Sequence, residues 1–374
     1  MKILIAGDLF VSDQFYNANI IDKSVQDLFS KADYRIVNLE APITDDRSEN
    51  KIIKTGPHLR MSEQSAISVL KQLNIDGVTL ANNHILDYGT KGLLDTFDTL
   101  KSDEVAYVGA GTNLKDAAKY ITLNKEGVKI AIINFCENEW SIAEDDSPGA
   151  NPMDIIDNTN QIREAKASHD KVIVIVHGGH EYYNLPSPRM QKQYRFYADQ
   201  GADIVVGHHT HCISGNEVYN GVPIYYSLGN FLFTKNNPND EWYTGLILEV
   251  DIEKGNLTSQ LHPVEQQKET FELSLLNGKK REDIIKRISK YNAIIADEAQ
   301  LKSEWSNYID AKYDMYLNYW SPFSFISNRY VRGVLNRLGI KGLNKRGVAL
   351  ALNLMRCEAH VDMSKEVTNK YLKR

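Results

Sequence analysis

GADIVVGHHTH, residues 201–211, is the stretch whose reading decides the fold. A short apolar, β-branched run, Asp203 to Val206, ends at a glycine and is followed by three histidines, His208, His209 and His211. Continuous apolar runs of this length are what strands buried on both faces require. In extended chain, positions i and i+2 point to the same side, so His209 and His211 are expected to share one target, with His208 facing the other way as a structural residue. Four earlier segments repeat the pattern: Gly7-Asp8 after Lys2 to Ala6, Asn38-Leu39-Glu40 on the run from Tyr34, Ala81 to His84 on the run from Gly77, and HGGHE at 177–181 after Lys171 to Val176. If these runs are parallel strands, all five sets emerge at the carboxyl edge of one sheet, where open α/β folds build their sites.

Helical stretches lie between several of the runs. Ser62 to Leu73 reads as a helix with Ser62 as N-cap and Ile67, Leu70 and Leu73 spaced by three; Gly92 to Leu100 and Met190 to Asp199 fill the same role later. Strand-helix alternation implies a layered sheet with helices on its faces. From about Gly215 the texture changes, because alternating runs flank the turns NG and KGN, the signal of antiparallel hairpins. Beyond Gln266 the pattern turns helical through Tyr319, so the expected division is a domain over 1–270 and a helical extension over 271–374.

At 374 residues and 42% hydrophobic, the chain can bury a sizeable core. A net charge of -6 gives no reason to expect a nucleic-acid partner, and the catalytic half has no basic, aromatic stripe for a strand. Three widely spaced cysteines resemble no disulfide framework, and the opening MKILIAGD has too short an apolar run for a signal-peptide core. A cytoplasmic location is expected.

The residues at the strand ends carry the chemistry. Asp8 and Glu40 supply carboxylates, Asn83 an amide oxygen, and His177, His209 and His211 imidazoles, a mixed oxygen and nitrogen set without thiolate that suits Mn²⁺, Fe or Zn²⁺. Six side chains exceed what one tetrahedral site uses, which points to two divalent ions and a water activated between them. His84 can donate to a developing charge, and Asp87, three residues on, can orient its ring.

In order, these motifs (GD, NLE, NNHILDYG, HGGHEY, GADIVVGHHTH and YSLGNF at 226–231) resemble the capsule-synthesis CapA or PGA_cap family of the calcineurin-like metallophosphoesterases over about residues 2–250. The resemblance implies an α/β/β/α sandwich of four layers and a phosphoesterase acting in poly-γ-glutamate or polysaccharide capsule synthesis. It implies Asp8, Glu40 and His211 around one metal and Asn83, His177 and His209 around the other, with Glu40 bridging and His84 near the leaving oxygen. His180, Glu181, Tyr182 and Asn230 become candidate substrate contacts. One departure is clear: where the wider superfamily has Asp-x-His on its first strand, this chain has Asp8-Leu9-Phe10. A non-hydrolytic accessory subunit, binding nascent polymer or a synthase, is the alternative.

The segment between Asp314 and Glu358 holds Arg329, Arg332, Arg337, Lys341, Lys345, Arg346 and Arg356 and no acidic residue, interleaved with Trp320, Phe323, Phe325 and Tyr330. Two readings stand: a basic amphipathic surface for anionic lipid, an anionic polymer or a membrane-associated synthase complex, or a helical extension packed on the catalytic domain.

Overall fold

A computed structural model describes the whole chain except residues 17, 254, 327, 373 and 374. Two sheets form it. In the first, the parallel strands Lys2–Phe10, Tyr34–Leu39, Gly77–Thr79 and Ala106–Val108 continue on the other side of Lys2–Phe10 into the antiparallel run Thr244–Glu253, Asn256–Gln266 and Leu273–Leu275. In the second, Val128–Cys136, Lys171–His177, Ile204–His208 and Val222–Tyr225 are parallel, with antiparallel strands at both edges. The turn Asn220-Gly221 joining the edge hairpin has positive φ at both residues, 49° and 82°, as a two-residue hairpin loop needs.

Three apolar clusters order the layers. Ile3, Ile5 and Ile36 of the first sheet meet Ile132, Ile173, Ile175 and Ile204 of the second, so the sheets pack face to face. The first sheet's other face packs on Val25, Phe29, Leu70 and Phe97 from its helices. The second packs on Ile162, Tyr194 and Tyr197 from Ile155–Ser168 and Pro188–Asp199. The result is an α/β/β/α sandwich, and strands buried on both faces explain why the sequence runs are continuously apolar rather than alternating. The helix expected over Ser62 to Leu73 is Glu63–Gln72, with the Ser62 side chain accepting from the Ser65 amide.

The chain divides after Leu301, into Met1–Leu301 and Lys302–Arg374, not near residue 270. Gly278–Ala296 belongs to the first unit because Ile288 and Ile295 are buried among sandwich residues, and the Asn292 side chain accepts from the Asn216 amide at 2.7 Å. The second unit consists of helices, beginning within Glu298–Tyr319 and including Arg329–Arg337 and Lys345–Arg356. Among the described residues no helix is long and apolar enough to cross a membrane.

Candidate metal centre

Strands of both sheets deliver their carboxyl ends to one place. Asp8 sits where the first strand's pairing register shifts, and its amide donates to the Gly229 carbonyl at 3.1 Å. A Cβ at Gly7 would lie 2.0 Å from that carbonyl, so the close approach of the 226–231 loop requires glycine there. Asn82 ties its own loop to the second strand, donating to the Leu39 carbonyl at 2.8 Å while its oxygen accepts from the His84 amide at 3.1 Å.

Asp8, Glu40 and His211 have ligand atoms within 4.8 Å of one another, as do Glu40, His177 and His209. Glu40 is common to both groups. His177 Nε2 lies 3.6 Å from Glu40 Oε1, 3.0 Å from Asn83 Oδ1 and 3.0 Å from His209 Nδ1; His211 Nε2 lies 3.6 Å from Glu40 Oε1. All six side chains are buried.

Burial governs the charges. It pushes the Asp8 carboxyl up to about 6, against the pull of the Asn38 hydrogen bond, and with Asp8 alongside it holds Glu40 well above the usual carboxylate range. Burial also depresses His177, and takes His208 and His211 down to about 3. Neutral imidazoles with carboxylates short of counter-charge are the protonation states and the deficit that a cation corrects.

Two features depart from the expectation. The strand stops at His208, and His209 and His211 have φ of 89° and 53°, in the left-handed region. Their convergence therefore comes from a strained turn rather than from the alternation of extended chain. His208 does not face away: its Nδ1 lies 3.6 Å from Asp8 Oδ1, and neither ring nitrogen hydrogen-bonds to a described residue.

His84 Nδ1 lies 2.7 Å from Asp87 Oδ2, which also accepts from the Leu59 amide at 2.6 Å. Burial depresses the imidazole while Asp87 opposes the shift. The third member, Lys54, pairs with Asp87 Oδ1 and sits 3.2 Å from His84 Nδ1. Its ammonium group is almost wholly enclosed. Sequence reasoning missed Lys54 because a lysine in the loop IIKTGP carries no periodic or spacing signal. It also passed over Asn38, whose amide donates to Asp8 Oδ1 at 2.7 Å and lies 3.2 Å from His177 Nδ1; a polar residue inside the apolar run YRIVNL was the available clue.

A cavity of about 370 Å³ opens over the centre, lined by Lys54, His84, Glu139, Glu181, Tyr182 and Trp242 among others. Glu181 and Tyr182 thus line the same cavity as His84 and His211, whereas His180 is not among the lining residues. Asn230 is fully engaged instead of free for substrate: its Oδ1 lies 2.9 Å from His211 Nδ1 and its amide donates to the Trp242 carbonyl at 2.9 Å, so it sets the ring's orientation.

The layered sandwich thus brings carboxylates and imidazoles from strands of both sheets into one buried cluster with Glu40 shared between its two groups. The chain belongs to the family described as bacterial capsule synthesis protein PGA_cap, whose profile matches residues 2–235. Among curated relatives it is 39% identical over 219 residues to the PGA biosynthesis protein CapA of Bacillus subtilis (strain 168), covering 58% of this chain and 57% of that one. It is 34% identical over 225 residues to the capsule biosynthesis protein CapA of Bacillus anthracis, covering 58% and 54%. The match thus spans little more than half of each relative's length. Distant structural likenesses include a novel phosphatase of Mycoplasma pneumoniae (TM-score 0.45, 13% identity, 72% of this chain and 95% of that chain) and a 5'-nucleotidase of Candida albicans SC5314 (TM-score 0.43, 14% identity, 84% and 59%).

Proposed function

We propose that this protein is a metal-dependent phosphoesterase of capsule assembly, hydrolysing a phosphate ester or a phosphorylated anionic polymer intermediate. The observation that carries the reading is Glu40: fully buried, shared by both ligand groups, and with neither carboxylate oxygen hydrogen-bonded to a described residue. Leaving such a group uncompensated costs several kcal/mol, so the residues fit a cationic occupant. Asp8, Glu40 and His211 would hold one divalent ion, and Glu40, Asn83, His177 and His209 the other. Ions there supply Lewis acidity toward the phosphoryl oxygens and lower the pKa of the attacking water.

The chain's own groups do the rest. Asp87 accepts from His84 Nδ1 and opposes the burial that depresses the ring, so that His84 in its protonated form presents Nε2–H to the leaving alkoxide oxygen. Lys54 offsets part of the Asp87 charge, so that Asp87 orients the imidazole without holding its proton too tightly. Products are an alcohol and, from a monoester, inorganic phosphate or, from a diester, a phosphomonoester, the water supplying the hydroxyl and the proton that restores His84. The Mn²⁺-supplemented protein should hydrolyse phosphomonoesters or diesters such as the p-nitrophenyl substrates, and Asp8→Asn and His209→Ala should not.

One observation favours the second reading, an accessory subunit that binds polymer or a synthase. Phe10 stands at the first-strand position where a ligand histidine would be, packed against Phe233 with ring centroids 5.0 Å apart. Partner capture that persists in Asp8→Asn, with no activity in the intact protein on any ester tried, would select it.

A further inference from the structure

The loop after Val128–Cys136 carries a carboxylate that belongs to neither ligand group, and two anchors fix that loop. On one side Glu137 accepts from the Gly179 amide at 3.0 Å and from Arg189 at 2.6 Å, which ties it to the segment following His177. On the other, the buried Ser141 hydroxyl donates to the Asn83 carbonyl at 2.8 Å and accepts from the Leu86 amide at 3.2 Å, which ties it to the segment carrying Asn83 and His84. Glu139 stands midway between these anchors in the wall of the cavity over the centre, with its Oε1 3.8 Å from His209 Nε2.

We propose that Glu139 is a positioning residue for His209, accepting from its Nε2–H and so holding the ring with Nδ1 turned to the divalent ion, a role that rests on the reading of the centre as a cation site. Two neighbouring rings set the pattern. His211 has Asn230 Oδ1 at 2.9 Å from its Nδ1, and His84 has Asp87 Oδ2 at 2.7 Å from its Nδ1. In His209 the nitrogens divide in the same way: Nδ1 lies 3.0 Å from His177 Nε2, the nitrogen that also approaches Glu40 and Asn83, while Nε2 faces Glu139. An imidazole that gives Nδ1 to a cation carries its proton on Nε2, and a carboxylate there fixes the tautomer and raises the basicity of the ligating atom. At 3.8 Å the two atoms stand beyond a hydrogen bond. The Glu139 side chain is 37% exposed, whereas His209 is buried on left-handed backbone at a φ of 89°, so the carboxylate is the partner that swings to close the gap.

The test is Mn²⁺ binding to the full chain by equilibrium dialysis, with an affinity read for each equivalent. Glu139→Ala should weaken one of the two equivalents by about 10- to 100-fold, the scale for partners that orient a metal-bound histidine, and leave the other unchanged; Glu139→Gln, which keeps an acceptor oxygen, should recover part of the loss. In a His209→Ala background, Glu139→Ala should leave the remaining equivalent unchanged, because both changes remove the same contact. Should that background not fold, the imidazole nitrogen resonances of His209 in the Zn²⁺-loaded protein decide instead, and the Nε2 resonance should move in Glu139→Ala. Two unweakened equivalents in Glu139→Ala overturn the proposal while the cation reading stands; absence of Mn²⁺ from the parent protein overturns both. Weakening of both equivalents, or a further loss in the His209→Ala background, would make Glu139 a general charge over the site. A raised KM for p-nitrophenyl phosphate at unchanged Mn²⁺ affinity would make it a substrate contact, and either result overturns the proposal.

Discussion

The carboxyl edge of the sandwich and the C-terminal helical unit break the ordinary rule of burial in opposite senses. At the edge, Asp8, Glu40 and four histidines are enclosed with too little counter-charge. In the helical unit, Phe325, Tyr330 and Leu338 stand in water. Each inversion costs free energy in the isolated chain, and the proposed occupant that would relieve the first is a cation. The difference lies in rigidity. The edge is held by strands of two packed sheets and gathers the ligand atoms of each group within 4.8 Å of one another; the helical unit spreads its exposed apolar side chains over separate elements.

The contrast breaks most readily at Glu40. Glu40→Gln keeps the shape and removes the charge that both ligand groups share, and hydrolysis should fall by at least about 10³-fold, ~4 kcal/mol. The same variant, unfolded thermally with and without Mn²⁺, should lose the metal-dependent rise in Tm. Retention of that rise would mean the cluster is a satisfied polar core. Lys54 comes next: Lys54→Met should lower kcat by about 10- to 100-fold, the scale of groups that orient a functional residue, with KM and metal content little changed and partial rescue by Lys54→Arg. A fall in metal content instead would make Lys54 a structural support.

Protons sharpen the same side of the comparison. Burial pushes the Asp8 carboxyl up to about 6, and burial with Asp8 alongside holds Glu40 well above the usual carboxylate range, so on the acid side of pH 6 the metal-free protein holds protons there that a cation must displace. Because folded-state values lie above the ordinary carboxylate range, these groups favour the metal-free fold at low pH and cease to as pH rises through about 6. The stabilisation by Mn²⁺ should therefore grow between pH 5 and pH 7.5, as read by paired Tm measurements, and shrink on acidification. The smallest effect belongs to the other region: Arg329→Glu with Arg332→Glu should leave metal content unchanged and shift stability by less than about 0.5 kcal/mol.

Much of this was legible in the residues, and the misses share a cause. Runs such as KVIVIV announced strands buried on both faces, Ser62 and the NG turn announced a cap and a hairpin, and ligand residues at the run ends announced one shared site, although its strands belong to two sheets rather than the one expected. What pairwise spacing could not carry was tertiary. His209 and His211 converge through left-handed backbone, which no alternation rule anticipates, and His208 turns toward Asp8 for the same reason. Lys54 becomes visible only when its loop folds over Asp87, thirty-three positions later. The boundary moved from 270 to 301 because Ile288 and Ile295 pack on the sandwich, whereas their spacing marks only an amphipathic helix.

The central claim, that the buried edge is a cation site with Glu40 shared between two ions, is tested most directly by elemental analysis of metal per chain after Mn²⁺ reconstitution, beside a His209→Ala control. The account predicts about two equivalents in the intact protein, as two-ion phosphoesterase centres hold, and a clear fall in the variant. Near-zero metal in the intact, folded protein would contradict it.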